Sequence, residues 1–356
     1  ILGAHSLRAL CALRGDFFSS PSYTAVQPDA VIQVHSARNA NSSPALLGRY
    51  GQAEKSFSGT GQASNMSAAI KFDELLYDSL ESLSLPDVYI RLREVMESDN
   101  ASMADAAQVI SLDPALAARV LRMANSVFYG FRSQVDTISR AANILGMQKI
   151  HDLVLAASVS KAFEGLGNEL MDIDTFWYRS VHCGFLAQAI AKGAGMYNPE
   201  SMFVRGLLHD IGHLVLFSHY PAECRQALAY SSEGLDARLY EEQLLIGVDA
   251  MQFAAELAHV WQLPKSFVDS FRHLMRPEDV AGGLAGEIAM LHIAVQISSG
   301  IDSDLLLEDI VQRIRAPIWR LAELPPEVGA AALDESTLEM VDAMYRLLTQ
   351  QDVLTA

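Results

Sequence analysis

The chain has 356 residues, of which 50% are hydrophobic, and its 43 acidic residues outnumber its 26 basic residues to give a formal net charge of −17. This length allows about two or three domains, and the apolar content is enough for a substantial core. Nucleic acid is not an expected partner, because phosphate binding draws on clustered Lys and Arg that this acidic chain lacks.

Residues 1–66 are rich in Ser, Gly, Ala, Asn and Gln and show no sustained hydrophobic period. Such a composition does not bury enough apolar area to offset the entropy lost on ordering. We expect this segment to be disordered or a non-native leader. Helical spacing begins just after Met66, which we take as the natural start.

From about residue 70 onward the apolar residues recur with the 3.6-residue period, and β-branched alternation is nearly absent, so the fold is predicted to be all-α. Ser102, followed three residues later by Asp105, predicts one helix start. Asp113-Pro114 predicts another, because Asp accepts from free N–H groups and Pro gives up a donor that had no partner. Asn125-Ser126 predicts the end of that helix, with Asn tolerating left-handed backbone geometry.

Further helices are predicted over the rest of the chain, with Gly165 to Asp174 as the joint between two halves. The resulting division is 67–168 for an N-terminal helical half, 169–300 for a C-terminal helical half and 301–356 for the last helices. The predicted helices are Ile138–Leu145, Lys149–Ala162, Thr175–Lys192, Glu200–Phe217, Pro221–Tyr230, Asp236–Leu245, Asp249–Trp261, Lys265–Met275, Gly283–Ser298, Leu305–Leu321 and Glu335–Leu348.

Cysteine usage and hydropathy predict a cytoplasmic protein without a membrane partner. Cys11, Cys183 and Cys224 form no CxxC pair and leave an odd number, which suits a reducing compartment. The most apolar stretch, 282–301, is interrupted by Glu287 and His292 and therefore predicts a buried helix. No histidine or basic activator of Cys183 or Cys224 is evident from the sequence, so we expect both to be small buried residues.

Several motifs, in one order along the chain, resemble a known family over roughly residues 83–300. They are Leu85-Pro86, Ile110-Ser111-Leu112-Asp113-Pro114, Leu121-Arg122-Met123-Ala124-Asn125-Ser126, Phe176-Trp177, Leu207-Leu208-His209-Asp210-Ile211-Gly212 and Trp261-Gln262-Leu263-Pro264. Together they are similar to the HDOD domain, a bacterial signalling module related to HD and HD-GYP phosphohydrolases. The resemblance implies an HDOD-type helical fold with an HD-like C-terminal half, and an output or interaction module often without demonstrated catalysis.

His209 and Asp210 match the metal-binding pair of the HD enzymes, but a hydrolytic metal site needs further converging ligands and an open position for water. By register with those enzymes, the expected ligand positions fall on Arg179, a permanent cation, and on Val295. Two more fall on Ala250 and on Leu274-Met275. The sequence therefore predicts a remnant pair without a bound metal.

The simplest interpretation of His209-Asp210 is a hydrogen-bonded pair in the core, ion-paired with Arg179. An alternative is a displaced metal site, because His182 and His292 each lie about one helical turn from an expected ligand position. His213, four residues after His209, is a further candidate for that site. By itself we expect His213 on the surface or at the end of a helix.

Two functions stay open at this point. The first is a non-catalytic signal-transduction module that binds other signalling proteins, with a cyclic dinucleotide as a second candidate partner and no cofactor. The second is a metal-dependent phosphohydrolase that acts on a nucleotide or cyclic dinucleotide through a divalent metal on His209 and Asp210. The three tryptophans are expected in the core and not as ligand-stacking residues: Trp177, Trp261 and Trp319.

Overall fold

A computed structural model of the chain describes residues 85–98, 102–126, 129, 134–163, 169–231, 234–300, 307–326 and 335–349. Within these residues every regular element is helical, as predicted. The prediction of disorder for residues 1–66 lies outside the described residues. The α-helices are α1 Asp87–Glu97, α2 Met103–Ser111, α3 Pro114–Ala124, α4 Ile138–Leu145, α5 Met147–Ala162, α6 Ile173–Gly193, α7 Glu200–Leu208, α8 Ile211–His219, α9 Pro221–Leu228, α10 Leu235–Leu245, α11 Ala250–Val260, α12 Lys265–Arg272, α13 Gly283–Ser299, α14 Leu307–Arg313, α15 Ala316–Leu321 and α16 Glu335–Thr349.

The predicted helix starts at Ser102 and Asp113 are confirmed by their caps. Ser102 and Asp105 form a capping box, in which the backbone N–H of Asp105 donates to the Ser102 hydroxyl at 3.2 Å and the backbone N–H of Ser102 donates to the Asp105 carboxylate at 2.9 Å. One carboxylate oxygen of Asp113 accepts from the N–H groups of Ala115 and Leu116, both at 3.0 Å. Each cap satisfies donors that the first helical turn leaves free.

The end of α3 at Ala124 is confirmed, but the predicted left-handed geometry of Asn125 is wrong. Asn125 has φ −85° and ψ 2°. Its side-chain amide donates to the carbonyls of Leu121 at 2.8 Å and Val135 at 2.7 Å, and its side-chain oxygen accepts from the Val135 N–H at 2.7 Å. The residue therefore ends the helix by tying it to the next segment.

Two predicted helices are each divided in the structure. The predicted Glu200–Phe217 helix breaks at His209 and Asp210, where Asp210 has φ −101° and ψ 5°. The predicted Leu305–Leu321 helix is α14 followed by α15. Pro317 lies in the first turn of α15 and has no N–H to continue the preceding helix, which accounts for that second break.

Helices α6 and α7 pack closely because two glycines face one another. A Cβ added to Gly206 of α7 would lie 2.7 Å from the Cα of Gly184 and 2.8 Å from the carbonyl oxygen of Cys183, both on α6. Real Cβ atoms do not approach so near, so this crossing requires glycine. The close packing brings the end of α7, where His209 lies, against Cys183.

The C-terminal helix α16 returns to the first part of the chain and contacts α3, α5 and α6. The Ser160 hydroxyl donates to the carbonyl of Leu348 at 3.0 Å, and the Tyr178 hydroxyl donates to Asp342 at 3.1 Å. Buried residues from Leu85 to Leu348 form one hydrophobic cluster. The division into 67–168, 169–300 and 301–356 stays a prediction.

All three tryptophans are buried in this core, as predicted: Trp177, Trp261 and Trp319. Cys183 and Cys224 are buried as well. None of the helices in the described part of the chain has the length and hydropathy needed to cross a bilayer.

Candidate functional site

His209 and Asp210 occupy the short break between α7 and α8. Helix α8 begins against the start of α11, where a Cβ on Gly212 would lie 1.9 Å from the carbonyl oxygen of Ala250. A glycine is therefore required at the second position of α8. This close approach fixes the direction in which α8 carries His213 into the core.

His213 is 1% exposed, so the expectation of a surface histidine is wrong, although it does lie in the first turn of its helix. Its Nδ1 is hydrogen-bonded to Oδ1 of Asp210, and its Nε2 lies 2.9 Å from Oε1 of Glu242. Ionised carboxylate oxygens only accept, so both ring nitrogens must donate and the imidazole is positively charged. Burial and Arg238 lower the pKa of His213, but Asp210 and Glu242 outweigh them and raise it overall.

Glu242 joins this histidine to a second cation. Nε of Arg238 donates to Oε1 of Glu242 at 3.0 Å, and the backbone N–H of Ala250 donates to Oε2 at 3.1 Å. Burial raises the pKa of Glu242, but His213 and Arg238 lower it by more than burial raises it. The group therefore stays ionised although its side chain is fully buried. Arg238 also lies over the Phe217 ring, 5.2 Å from its centroid, where a cation is attracted to the aromatic face.

These four groups, Asp210, His213, Arg238 and Glu242, form what we call the ion network. It holds two carboxylates and two cations, so its charges cancel inside the protein. Burial raises the pKa of Asp210, but His213, His209 and Arg238 together hold it well below the usual range. Glu242 and Arg238 were not predicted as site residues. Their spacing of four positions on a predicted helix is the signal that could have suggested an ion pair.

His209 makes different contacts. Its Nδ1–H donates to the carbonyl of Gly206 at 2.6 Å. Burial lowers the pKa of His209, but the hydrogen-bonded Cys183 sulfur, Asp210 and the Gly206 carbonyl raise it to about 9 overall. Packing of α6 on α7 thus supplies Cys183 with a histidine partner that was not evident from the sequence. The pairing of Arg179 with His209 and Asp210 stays a prediction.

The other two candidate histidines, His182 and His292, form no hydrogen bond to the ion network within the described part of the chain. His182 is fully buried in α6, and neither ring nitrogen has a hydrogen-bond partner among the described residues. Burial and the charge of Arg179 lower its pKa to about 4. His292 is buried in α13 and donates from Nδ1 to the carbonyl of Leu274 at 2.9 Å. The pKa of His292 is lowered, chiefly by burial.

The donor atoms around His209 and Asp210 do not fit a divalent metal in this arrangement. Oδ1 of Asp210 and both nitrogens of His213 are engaged with one another and with Glu242, whose two oxygens are also bonded. In the described ranges, no three His, Cys, Asp or Glu side chains are grouped so that they could hold a metal ion. In the part of the chain that the structure describes, the polar groups at this break bond mainly to one another.

Comparisons with known proteins place this geometry in context. A crystal structure from Shewanella amazonensis SB2B, provisionally assigned as a phosphohydrolase, is 30% identical, with a TM-score of 0.58 and 78% of this chain and 97% of that chain covered. An HDOD domain protein of unknown function from Geobacter sulfurreducens is 21% identical, with a TM-score of 0.61 and 77% of this chain and 97% of that chain covered. At 21% identity, the likeness to the Geobacter protein shows the fold alone.

A relative from Treponema pallidum (strain Nichols), described as uncharacterized, is 23% identical over 189 residues. That match covers 53% of this chain and 36% of the relative, so the chain spans about a third of the relative's length. The HDOD domain model matches residues 83–277, which is more than half of the chain and includes α1 to α12 and the ion network. The motifs, the all-helical fold and this match agree, and the chain belongs to the HDOD domain family.

Proposed function

We propose that this chain is a bacterial, cytoplasmic signal-transduction module that works by binding other signalling proteins and does not hydrolyse phosphate esters. The observation that carries the proposal is the position of His213, held between the carboxylates of Asp210 and Glu242 with Arg238 beside them. The role in binding partners is the one generally assigned to the HDOD family.

Hydrolysis at this position would require a cation to polarise a phosphate and to lower the pKa of a bound water. A divalent ion bound through Asp210 would compete with His213 for that carboxylate, and one bound through His213 would have to deprotonate the imidazole and break its bond to Glu242. Removing one partner from a buried ion pair is strongly unfavourable, since it leaves an uncompensated charge in the core. The ion network therefore favours a structural role for the remnant HD pair.

A second candidate is a metal-dependent phosphohydrolase that acts on a nucleotide or cyclic dinucleotide. The Shewanella protein, at 30% identity over nearly its whole length, supports this alternative. In that case His209 and Asp210 would bind a metal such as Mn²⁺, and the ion network would rearrange to release Asp210.

The two functions are separated by assays of the full chain with added Mn²⁺ on phosphatase and phosphodiesterase substrates. Wild type is compared with His209→Ala and with a control, His259→Ala, which changes an exposed histidine of α11. We expect no turnover that depends on His209, and no stoichiometric metal in the purified protein. Manganese-dependent activity that His209→Ala abolishes and His259→Ala retains would overturn the proposal in favour of the hydrolase.

The interaction role is tested by affinity capture from the native host with wild type and His209→Ala as baits. We expect the same specific partner with both baits, because the pair is buried structure and not the contact surface. Absence of any specific partner in repeated captures, under conditions where both baits are folded, would contradict the interaction role.

A further inference from the structure

A cavity of about 630 Å³ lies between the end of α3, residues 134–136 and α16. Its volume is within the range of about 300–1,000 Å³ that is usual for small-molecule sites. The C-terminal helix that closes one side lies beyond the residues matched by the HDOD model. The lining residues used below are Leu121, Arg122, Val135, Asp136, Arg346 and Leu347.

Two arginines face this cavity, Arg122 from α3 and Arg346 from α16. Both arginines are exposed, and no ion pair of either guanidinium is found among the described residues. Asp136, which also lines the cavity, lies 3.9 Å from Arg140, and both of these side chains are exposed. The cavity thus combines two guanidinium groups open to solvent with one carboxylate.

The wall of the cavity is held in place by Asn125. Its side chain bonds both the N–H and the carbonyl of Val135, at 2.7 Å each, and also the carbonyl of Leu121. These bonds hold Val135 against the end of α3. A lining residue that is already held in place lowers the entropy cost of binding a ligand.

Part of the remaining lining is apolar. Leu121, Val135, Ala343 and Leu347 contribute apolar side chains, beside the polar Asn125, Ser126 and Gln134. Apolar side chains can cover the face of a ring, whereas guanidinium groups bind phosphate through paired N–H donors. The same cavity therefore offers positive charge for a phosphate and an apolar wall for a ring.

From this combination we propose that the cavity between α3 and α16 binds a nucleotide, with Arg122 and Arg346 on its phosphate and the apolar wall against its base. This site is separate from the ion network. Failure of nucleotide binding would leave the proposed interaction role untouched, and failure of that role would leave the cavity available.

Arginines in the last turn of a helix also interact favourably with the helix dipole, and both Arg122 and Arg346 occupy such positions. That effect alone would stabilise the fold without any ligand. The two explanations differ in one respect, because only a binding site makes the stability of the chain depend on an added nucleotide.

The test uses isothermal titration of the full chain with four probes: inorganic phosphate, adenosine, adenosine 5′-monophosphate and cyclic di-GMP. Variants are Arg122→Gln, Arg346→Gln and the control Arg320→Gln, which changes an exposed arginine in the last turn of α15 outside the cavity. We expect one or both nucleotides to bind more tightly than phosphate or adenosine. Each cavity variant should weaken that binding about ten-fold, which is the usual effect of losing a charged hydrogen bond.

The control variant should bind as wild type does, and Arg122→Lys should recover part of the affinity because it restores the charge. Thermal unfolding without ligand checks that each variant is folded. The proposal is overturned if neither nucleotide binds the wild type, or if binding is the same in the cavity variants. Inorganic phosphate bound as tightly as the nucleotides would also overturn it, since the apolar wall would then have no role.

Discussion

Nε2 of His213 on α8 lies 2.9 Å from Oε1 of Glu242 on α10, and both side chains are almost completely buried. The same carboxylate oxygen accepts from Arg238. Glu242 thus balances two cations at once, and its removal would leave both without their shared counterion. The stability of the C-terminal helical part should depend on this carboxylate more than on the His209-Asp210 pair that the motif identifies.

Glu242→Gln keeps the shape of the side chain and removes its charge. We expect the free energy of unfolding to fall by about 3–5 kcal/mol, because a buried cation loses its partner. Urea denaturation at neutral pH measures the loss. The matched control, Glu94→Gln, alters an exposed glutamate of α1 and should change stability by less than about 0.5 kcal/mol. A loss as small for Glu242→Gln as for the control would show that the network is not charged as described.

His182→Leu tests an acid-sensitive group. The pKa of His182 is lowered from 6.5 to about 4, so the unfolded state binds more protons between these values and stability falls as pH drops through that window. The variant has no imidazole at this position to take up a proton. Its stability relative to wild type should therefore improve by up to roughly 3 kcal/mol between pH 7.5 and pH 4.

The measurement for His182 is the slope of the unfolding free energy with pH, since a change in packing shifts all values equally. His259→Leu, at an exposed position, serves as the control. Parallel curves for wild type and His182→Leu would contradict the expected titration.

Gly206→Ala tests the close crossing of α6 and α7. The added methyl would lie 2.7 Å from the Cα of Gly184, and backbone atoms cannot move aside as a flexible side chain can. We expect a destabilisation of about 1–3 kcal/mol or more, from overpacking, by thermal or chemical unfolding. Gly283→Ala is the control, because nothing lies within 4 Å of its added Cβ and the residue is helical. A Gly206→Ala protein as stable as the control would mean that the helices separate without cost.

Asn125→Ala removes three hydrogen bonds between the end of α3 and Val135 or Leu121. The backbone N–H and carbonyl of the buried Val135 would lose these partners, and we expect a loss of about 1–3 kcal/mol. Asn143→Ala, at an exposed position in α4, is the comparison. Urea unfolding of the two variants should differ by at least about 1 kcal/mol, and equal stabilities would refute the role of Asn125 as a tie.

The helix starts and ends that nearby side chains set were predicted from the sequence. The caps at Ser102 and Asp113 and the end of α3 follow from side chains that act within a turn or two of their own position. The break at His209 and Asp210 was missed because the apolar period continues through it. That break accompanies the approach of Gly212 to Ala250, which is a contact between distant segments.

Periodicity, caps and motif order are properties of consecutive residues, and they were enough to predict the helices of the described residues and the HDOD family. The groups that surround His209 and Asp210 depend on tertiary packing and could not be predicted in this way. Glu242 meets His213 across 29 positions, and Cys183 meets His209 through the crossing of two glycines. Such contacts depend on how helices pack, and the charge of a buried histidine depends in turn on those contacts.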